Sequence, residues 1–316
     1  MRGSRYGFVG RRALSLVPLL AGILFLVMLL LSVTPGSAAR MVAGPRAGQD
    51  EVDAVARQLG LDLPVWERYL HYVGDVLTGD LGTSFKTGQS VSEQIAAQLP
   101  VTVAVAAAGV LLALALAVPL AVLAARRPGG PVDQAVRVFG ALALGLPGFW
   151  VAIMLIRLVA LPTGWFPVAG WGADAAGHAR ALVLPAVVVA LGIVPPMVRS
   201  LRAAMIELHD AEFVVAARAL GYRGVDLLRL FQARNALPPL VTVTAAQAGY
   251  ALFGTVVVEV AFGLPGMGQG LVTAAGTRDF PLVQGYTLVF AVLVVLLHLL
   301  SDLVTAATDP RVRISA

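Results

Sequence analysis

Six long stretches of this chain are almost free of polar side chains, and segments of mixed polarity separate them. They run from Ala13 to Val33, Val101 to Ala125, Val136 to Leu161, Ala181 to Val198, Leu240 to Phe262 and Leu282 to Thr305. Roughly 20 apolar residues let a helix cross the hydrocarbon core of a bilayer. In lipid every backbone polar group must be satisfied within the protein, which favours helices for such runs. The pattern therefore predicts an all-α, polytopic membrane protein with six transmembrane helices. Pro18, Pro119, Pro147 and the pair Pro195-Pro196 fall inside the runs, where membrane helices accept them as kinks. Residues 34–100 read differently, with acids such as Asp50, Glu51, Asp53, Asp62 and Glu67 among apolar positions. Val52, Val55 and Leu59, then Trp66, Leu70 and Val73, recur at helical spacing and predict two short helices lying over the membrane surface.

Composition agrees with this reading. The chain is 58% hydrophobic and 13% charged, about half the charged fraction of roughly 25% usual in soluble domains. It contains no cysteine, which excludes disulfides, thiolate metal sites and a cysteine nucleophile. The net charge of +5 says less than the placement of the charges. Arginines are retained on the cytoplasmic side of membrane proteins. With the N-terminus inside, Arg2, Arg5, Arg11 and Arg12 are cytoplasmic, as are Arg126, Arg127 and Arg137. The cluster from Arg199 to Arg234 and the final Arg311 and Arg313 join them. Six spans then return the C-terminus to the cytoplasm, as expected of a multi-pass plasma-membrane protein. The basic start and Ser37-Ala38-Ala39 could suggest a cleaved leader. However, the first apolar run, about 21 residues, exceeds the roughly 7–15 of a leader core, so it is read as a retained anchor.

This divides the chain into 1–33, a cytoplasmic N-terminus with the first span; 34–100, an external region; 101–308, a transmembrane core; and 309–316, a cytoplasmic tail. The core contains a cytoplasmic loop, 199–239, too regular for a linker. Asp210 is placed to cap a helix starting at Ala211, with Glu212 in its first turn, where an acid suits the helix dipole. Phe213, Ala217 and Leu220 share one face, and Gly221 follows as a terminator. A second amphipathic stretch spans Val225 to Ala236, and Pro238-Pro239 is expected to stop it.

The run from Glu212 to Gly221, EFVVAARALG, resembles the EAA signature of the permease subunits of ABC importers, above all the peptide and nickel branch. Arg234-Asn235-Ala236-Leu237-Pro238-Pro239 is similar to the R-N-A-L-x-P that follows it there. Val215 stands where the general signature has an acid, and Leu220 where lysine is usual. Further segments fit in family order: Gly79 to Phe85, Leu146 to Trp150, Val258 to Gly268, Arg278 to Gly285 and Asp309 to Arg313. The resemblance implies the type I ABC importer fold and a heteromeric complex. Its partners would be a homologous second permease, one or two ABC ATPase subunits and an extracytoplasmic substrate-binding protein, with no nucleic acid. The loop would be the coupling helix, with Glu212, Ala216, Ala217, Arg218 and Gly221 at the ATPase. The cargo implied is di- or oligopeptides, moved by alternating access, with nickel or another small solute as the alternative.

The energy source is not expected in this chain. A phosphate-cradling loop reads G-x-x-x-x-G-K-[ST]. The single lysine, Lys86, is followed by Thr87 but preceded by Phe85 where glycine is required. The chain is thus expected to be a transporter subunit rather than an enzyme, with no cofactor or metal of its own and ATP-Mg on a partner. Ionisable residues within spans are functional hypotheses by default. Arg157 and Glu259 are candidates for the translocation path, set against snorkelling and an interfacial position. His298 and Asp302, one turn apart, read as a local pair. His71, His178 and His209 read as surface residues. An ion-coupled secondary transporter would need midplane charges and inverted repeats. An intramembrane enzyme would need a midplane nucleophile. Neither pattern is evident.

Overall fold

The computed structural model describes residues 5–33, 37–44 and 46–308, without the side chains of 5–17, 225, 228, 229, 234 and 304–308. Arg2, Arg311, Arg313, the segment 309–316 and the side chains of Arg5, Arg11, Arg12, Arg229 and Arg234 therefore lie outside this description. Among the described residues all regular structure is helical, apart from one antiparallel bridge between Thr83 and Ser90. The helices are α1 (Arg5–Val33), α2 (Ala38–Ala43), α3 (Gln49–Gln58), α4 (Val65–Thr78), α5 (Val91–Ala125), α6 (Pro131–Gly145) and α7 (Gly148–Leu155). They continue as α8 (Leu161–Thr163), α9 (Ala175–His209), α10 (Glu212–Ala219), α11 (Gly224–Leu227), α12 (Ala233–Phe262), α13 (Met267–Gly276) and α14 (Phe280–Thr308). Wide π-helical turns, Ile156–Ala160 and Leu228–Gln232, join α7 to α8 and α11 to α12.

Four helices, α5, α9, α12 and α14, are long and apolar enough to cross a membrane. Each is longer than the apolar run that announces it. Hydropathy falls where a helix leaves lipid, but backbone hydrogen bonding does not stop there. The third run departs from expectation. It is no single straight helix but α6 and the α7–α8 segment, bent by 96°. Pro147 is the cause: it has no N–H to donate and it holds Leu146 extended, at φ −92° and ψ 122°. If that bent pair counts as one span, there are five; α1 adds a shorter apolar segment, Pro18–Val33.

Two compact units form, with boundaries falling inside α5 and α14: Met1–Thr102 with Leu264–Val295, and Val103–Gly263 with Leu296–Ala316. In the second unit α9 is the central helix. Of its most apolar stretch 67% is buried, against 33–39% for the other three spanning helices. It packs against α6, α7 and α12. Gly109 of α5 lies directly on Val189 of α9, where a Cβ would collide with the valine side chain. Pro185, Pro195 and Pro196 sit within α9 without ending it, and Pro238 and Pro239 sit within α12. The expected stop at Pro238-Pro239 therefore does not occur. The π turn at Leu228–Gln232 brings the chain directly into α12, and the prolines become part of its first two turns.

In the first unit α4 packs against α1. Tyr69 donates a hydrogen bond to the carbonyl of Ala21 at 3.0 Å and meets Phe25 edge-on at 5.3 Å. The two short helices expected from the pattern are present as α3 and α4, but the contact face of α4 is its tyrosine side. Trp66 and Leu70, which recur at helical spacing in the sequence, are exposed. Burial pushes the hydroxyl of Tyr72 above its ordinary range, so it stays neutral. The glycine-rich segment 263–270 contains the start of a helix, α13. Its first amide, Met267 N–H, donates to Thr102 Oγ at 2.9 Å, a cap supplied from 165 residues away.

Candidate coupling site and its supports

The loop expected to carry coupling is a compact helical elbow. α9 runs on to His209, about three further turns beyond the predicted span at 3.6 residues per turn, and Asp210 ends it. Asp210 therefore does not cap α10. Ala211, extended at φ −64° and ψ 139°, precedes that helix, and no side chain caps it. Glu212 remains in the first turn, where its charge complements the helix dipole.

α10 is held from one side. Val214 and Ala217 are buried together with Leu227, and Ala211 and Phe231 pack against them. This reverses the expected face. Phe213 and Leu220 point outward, 42% and 79% exposed, together with Val215. The physical reason is the π turn, which brings Leu227 and Phe231 onto the Val214–Ala217 side. Small residues there let the turn approach. Arg218 donates to the carbonyl of His209 at 2.8 Å and ties the end of α10 to the end of α9.

Gly221 terminates α10 as expected, with a defined geometry. Its N–H bonds Arg218 O at 3.0 Å, and Tyr222 N–H bonds Ala217 O at 3.1 Å. These are the two bonds of a Schellman motif, and they require a left-handed residue at Gly221, whose φ is +94°. Tyr222 then stacks edge-on against Phe231 at 5.0 Å. Of the residues assigned to the site, Glu212, Ala216 and Gly221 are exposed, Arg218 is half-buried and Ala217 is internal.

A support not foreseen from sequence lies further up α9. Asp133, fully buried at the start of α6, accepts two hydrogen bonds from Arg202: Nε to Oδ1 at 2.5 Å and Nη2 to Oδ2 at 2.7 Å. Gly129 N–H adds a third at 2.8 Å. A bidentate fork of this kind fixes orientation as well as distance. Arg202 lies two turns before His209, so the pair holds the segment that leads into α10. An acid just after Gly-Pro at a helix start was the available signal, but an ordinary first-turn acid looks the same.

The in-span candidates separate. Glu259 is fully buried on α12. Arg157 is exposed on the π turn Ile156–Ala160 and makes no ion pair among the described residues. The pairing considered for them is not formed. Among the described residues no three His, Cys, Asp or Glu side chains cluster as metal ligands.

In the first unit, segments noted separately in the sequence meet. Asp279 is 1% exposed and accepts from Ser84 Oγ, from Phe85 N–H at 3.1 Å and from Lys86 N–H at 3.3 Å. Gly82 lies against Pro281, and Gly285 leaves room for Val91. The segments 79–85 and 278–285 thus form one structural node, built on a buried carboxylate. Asp279→Ala orphans the buried donors, at a cost of about 3 kcal/mol. Limited proteolysis of the intact protein is expected to cut within 82–90 in this variant and not in the wild type. Equal protection of both would refute the role of the node.

Comparison with known proteins follows the same outline. The family model for the "Binding-protein-dependent transport system inner membrane component" matches residues 117–314, and its N-terminal companion matches 5–106. The chain is 32% identical over 314 residues to the oligopeptide transport system permease protein AppB of Bacillus subtilis, covering 96% of this chain and 98% of that protein. It is 32% identical over 338 residues to the dipeptide transport system permease protein DppB of Escherichia coli, covering 97% and 98%. Among solved structures, an inward-facing form of the MetNI methionine ABC transporter superposes with a TM-score of 0.55 at 18% identity. That match covers 69% of this chain and 97% of the other.

Proposed function

Since the chain belongs to the family of inner membrane components of binding-protein-dependent transport systems, we propose that it is the permease subunit of an ATP-driven peptide importer. It is a multi-pass membrane protein, and its relatives AppB and DppB are peptide permeases by name. The observation that carries the coupling role is α10. It is a short helix, rigidly terminated and packed from one side only, with Phe213, Val215 and Leu220 turned outward. Large apolar side chains on a polar loop favour a protein partner. In this reading Ala216 and Glu212 face the ATPase, while Ala217, Arg218 and Gly221 hold the helix in shape for it.

Six spans are counted as α1, α5, the bent α6–α8 segment, α9, α12 and α14, with both termini in the cytoplasm. The divisions 1–33, 34–100, 101–308 and 309–316 follow, with 199–239 as the coupling loop. ATP-Mg is bound and hydrolysed by separate ATPase subunits. A homologous second permease completes the path, and a substrate-binding protein delivers peptide from outside. ATP binding draws the ATPases together, α10 transmits the motion along α9, and the path changes the side to which it opens. Arg157 and Glu259 are proposed to line this path.

The absence of cysteine allows a direct test. Ala216→Cys in the assembled complex is expected to cross-link to the ATPase subunit and to no other. In proteoliposomes the complex with its binding protein is expected to take up a labelled dipeptide or oligopeptide only with ATP. A cross-link to another subunit would refute the coupling assignment. Uptake of nickel or amino acids without peptides would refute the cargo.

A further inference from the structure

α6 and α9 run antiparallel and leave a groove of about 300 Å³ between them. Its lining changes character along its length. At one end stand Arg137, Arg199 and Arg202, and further along come Phe139, Leu144 and Val194. Arg137 and Leu144 are about 10 Å apart along α6 at 1.5 Å per residue. Arg202 and Val194 are similarly spaced in the opposite sense on α9. The antiparallel pairing therefore gathers the guanidinium groups at one end and the apolar side chains at the other. Gly140 faces Pro195 closely across the groove, where a Cβ would sit in van der Waals contact at 3.4 Å.

The charge balance at the arginine end is unequal. Asp133 is committed to Arg202 through both oxygens. Arg137 and Arg199 are exposed and make no ion pair among the described residues. The apolar end is open as well, with Leu144 58% exposed. A site with cations at the membrane surface and an apolar slot running inward matches one molecular shape: an anionic headgroup followed by an acyl chain.

We propose that the α6–α9 groove binds an anionic phospholipid of the cytoplasmic leaflet, its phosphate held by Arg137 and Arg199 and its first acyl carbons lying along Phe139 and Leu144. The leaflet, though not the lipid class, rests on the orientation given above. Arg202 shapes the site and stays with Asp133. An occupant here would brace α6 against α9, the helix that leads into α10, and so make coupling sensitive to lipid charge.

The test uses the intact complex, purified in detergent and titrated with phosphatidylglycerol or phosphatidylcholine under native mass spectrometry. Wild type is expected to retain phosphatidylglycerol, and the Arg137→Gln/Arg199→Gln variant to bind it roughly thirty-fold more weakly. Arg137→Lys/Arg199→Lys keeps the charge and is expected to stay within about three-fold of wild type. Inorganic phosphate at equal concentration is expected not to displace the lipid, because it lacks the chain. Equal binding by wild type and the glutamine variant would overturn the proposal. So would equal binding of phosphatidylcholine, displacement by phosphate, or a lysine variant as weak as the glutamine one. A photo-cross-linker at Leu144 that captures another protein subunit in the membrane would also overturn it, because the groove would then be a subunit interface. Sidedness is read separately from Ser200→Cys. Labelling of that cysteine only from outside would overturn the orientation, while the lipid titration stands independently of it.

Discussion

A Gly221→Val complex is expected to hydrolyse ATP while its peptide uptake falls at least about ten-fold. The residue sits at φ +94°, and the two closing bonds of α10 depend on that conformation. A β-branched residue pays at least 1–2 kcal/mol there, about the amount that shifts a population ten-fold. Little opposes the shift, because α10 is held by a small cluster, Val214, Ala217 and Leu227, with two half-buried neighbours. The loss should therefore remain local: the end of α10 opens while the spanning helices persist. A Cβ at Gly221 meets no neighbour within 4 Å, so the penalty is conformational and not steric. That distinction can be tested. Asparagine, which adopts the left-handed region more readily, is expected to preserve most uptake, alanine less, and valine least. ATPase activity and uptake measured on the same proteoliposomes check the series. Wild-type uptake by the valine variant would remove Gly221 from the coupling machinery.

Asp133→Ala is expected to destabilise the protein by about 3–5 kcal/mol, because it leaves Arg202 without its counter-charge in a largely enclosed setting. It also orphans the N–H of Gly129. The midpoint of thermal unfolding of the purified complex should fall by about 10 °C. Removing both partners, as Asp133→Leu/Arg202→Leu, is expected to recover much of this loss, since an apolar pair is commonly no less stable than a buried ion pair. Arg202→Lys should recover little, because an ammonium cannot supply the two parallel donors of the fork. A single-site alanine variant as stable as wild type would show that α6 and α9 hold together without the pair.

What could be read in advance depended on how local each cause was. The apolar runs announced α5, α9, α12 and α14, because burial in lipid is imposed residue by residue. Gly221 was legible because a helix terminator acts on its own backbone. The loop family resemblance was likewise carried by contiguous residues. The faces of α10 were not legible. The chain offers Phe213, Ala217 and Leu220 as one stripe and Val214 with Ala217 as another, and only the arrival of Leu227 and Phe231 chose between them. The same holds for α13, whose first amide is satisfied by Thr102 of a distant helix, so that a glycine-rich segment opens a helix in the fold.

The sequence by itself determined a multi-pass, all-helical membrane chain with a terminated helix in its loop. Each of those properties is a sum over neighbouring residues: apolar length against bilayer thickness, and backbone freedom at one glycine. The tertiary structure alone decided which residues work together. Asp133 and Arg202 are 69 positions apart, Ser84 and Asp279 are 195 apart, and the groove's arginines come from two helices running in opposite senses. No local pattern encodes such pairs. A buried carboxylate and an ordinary polar residue look alike until a partner is brought within hydrogen-bonding distance.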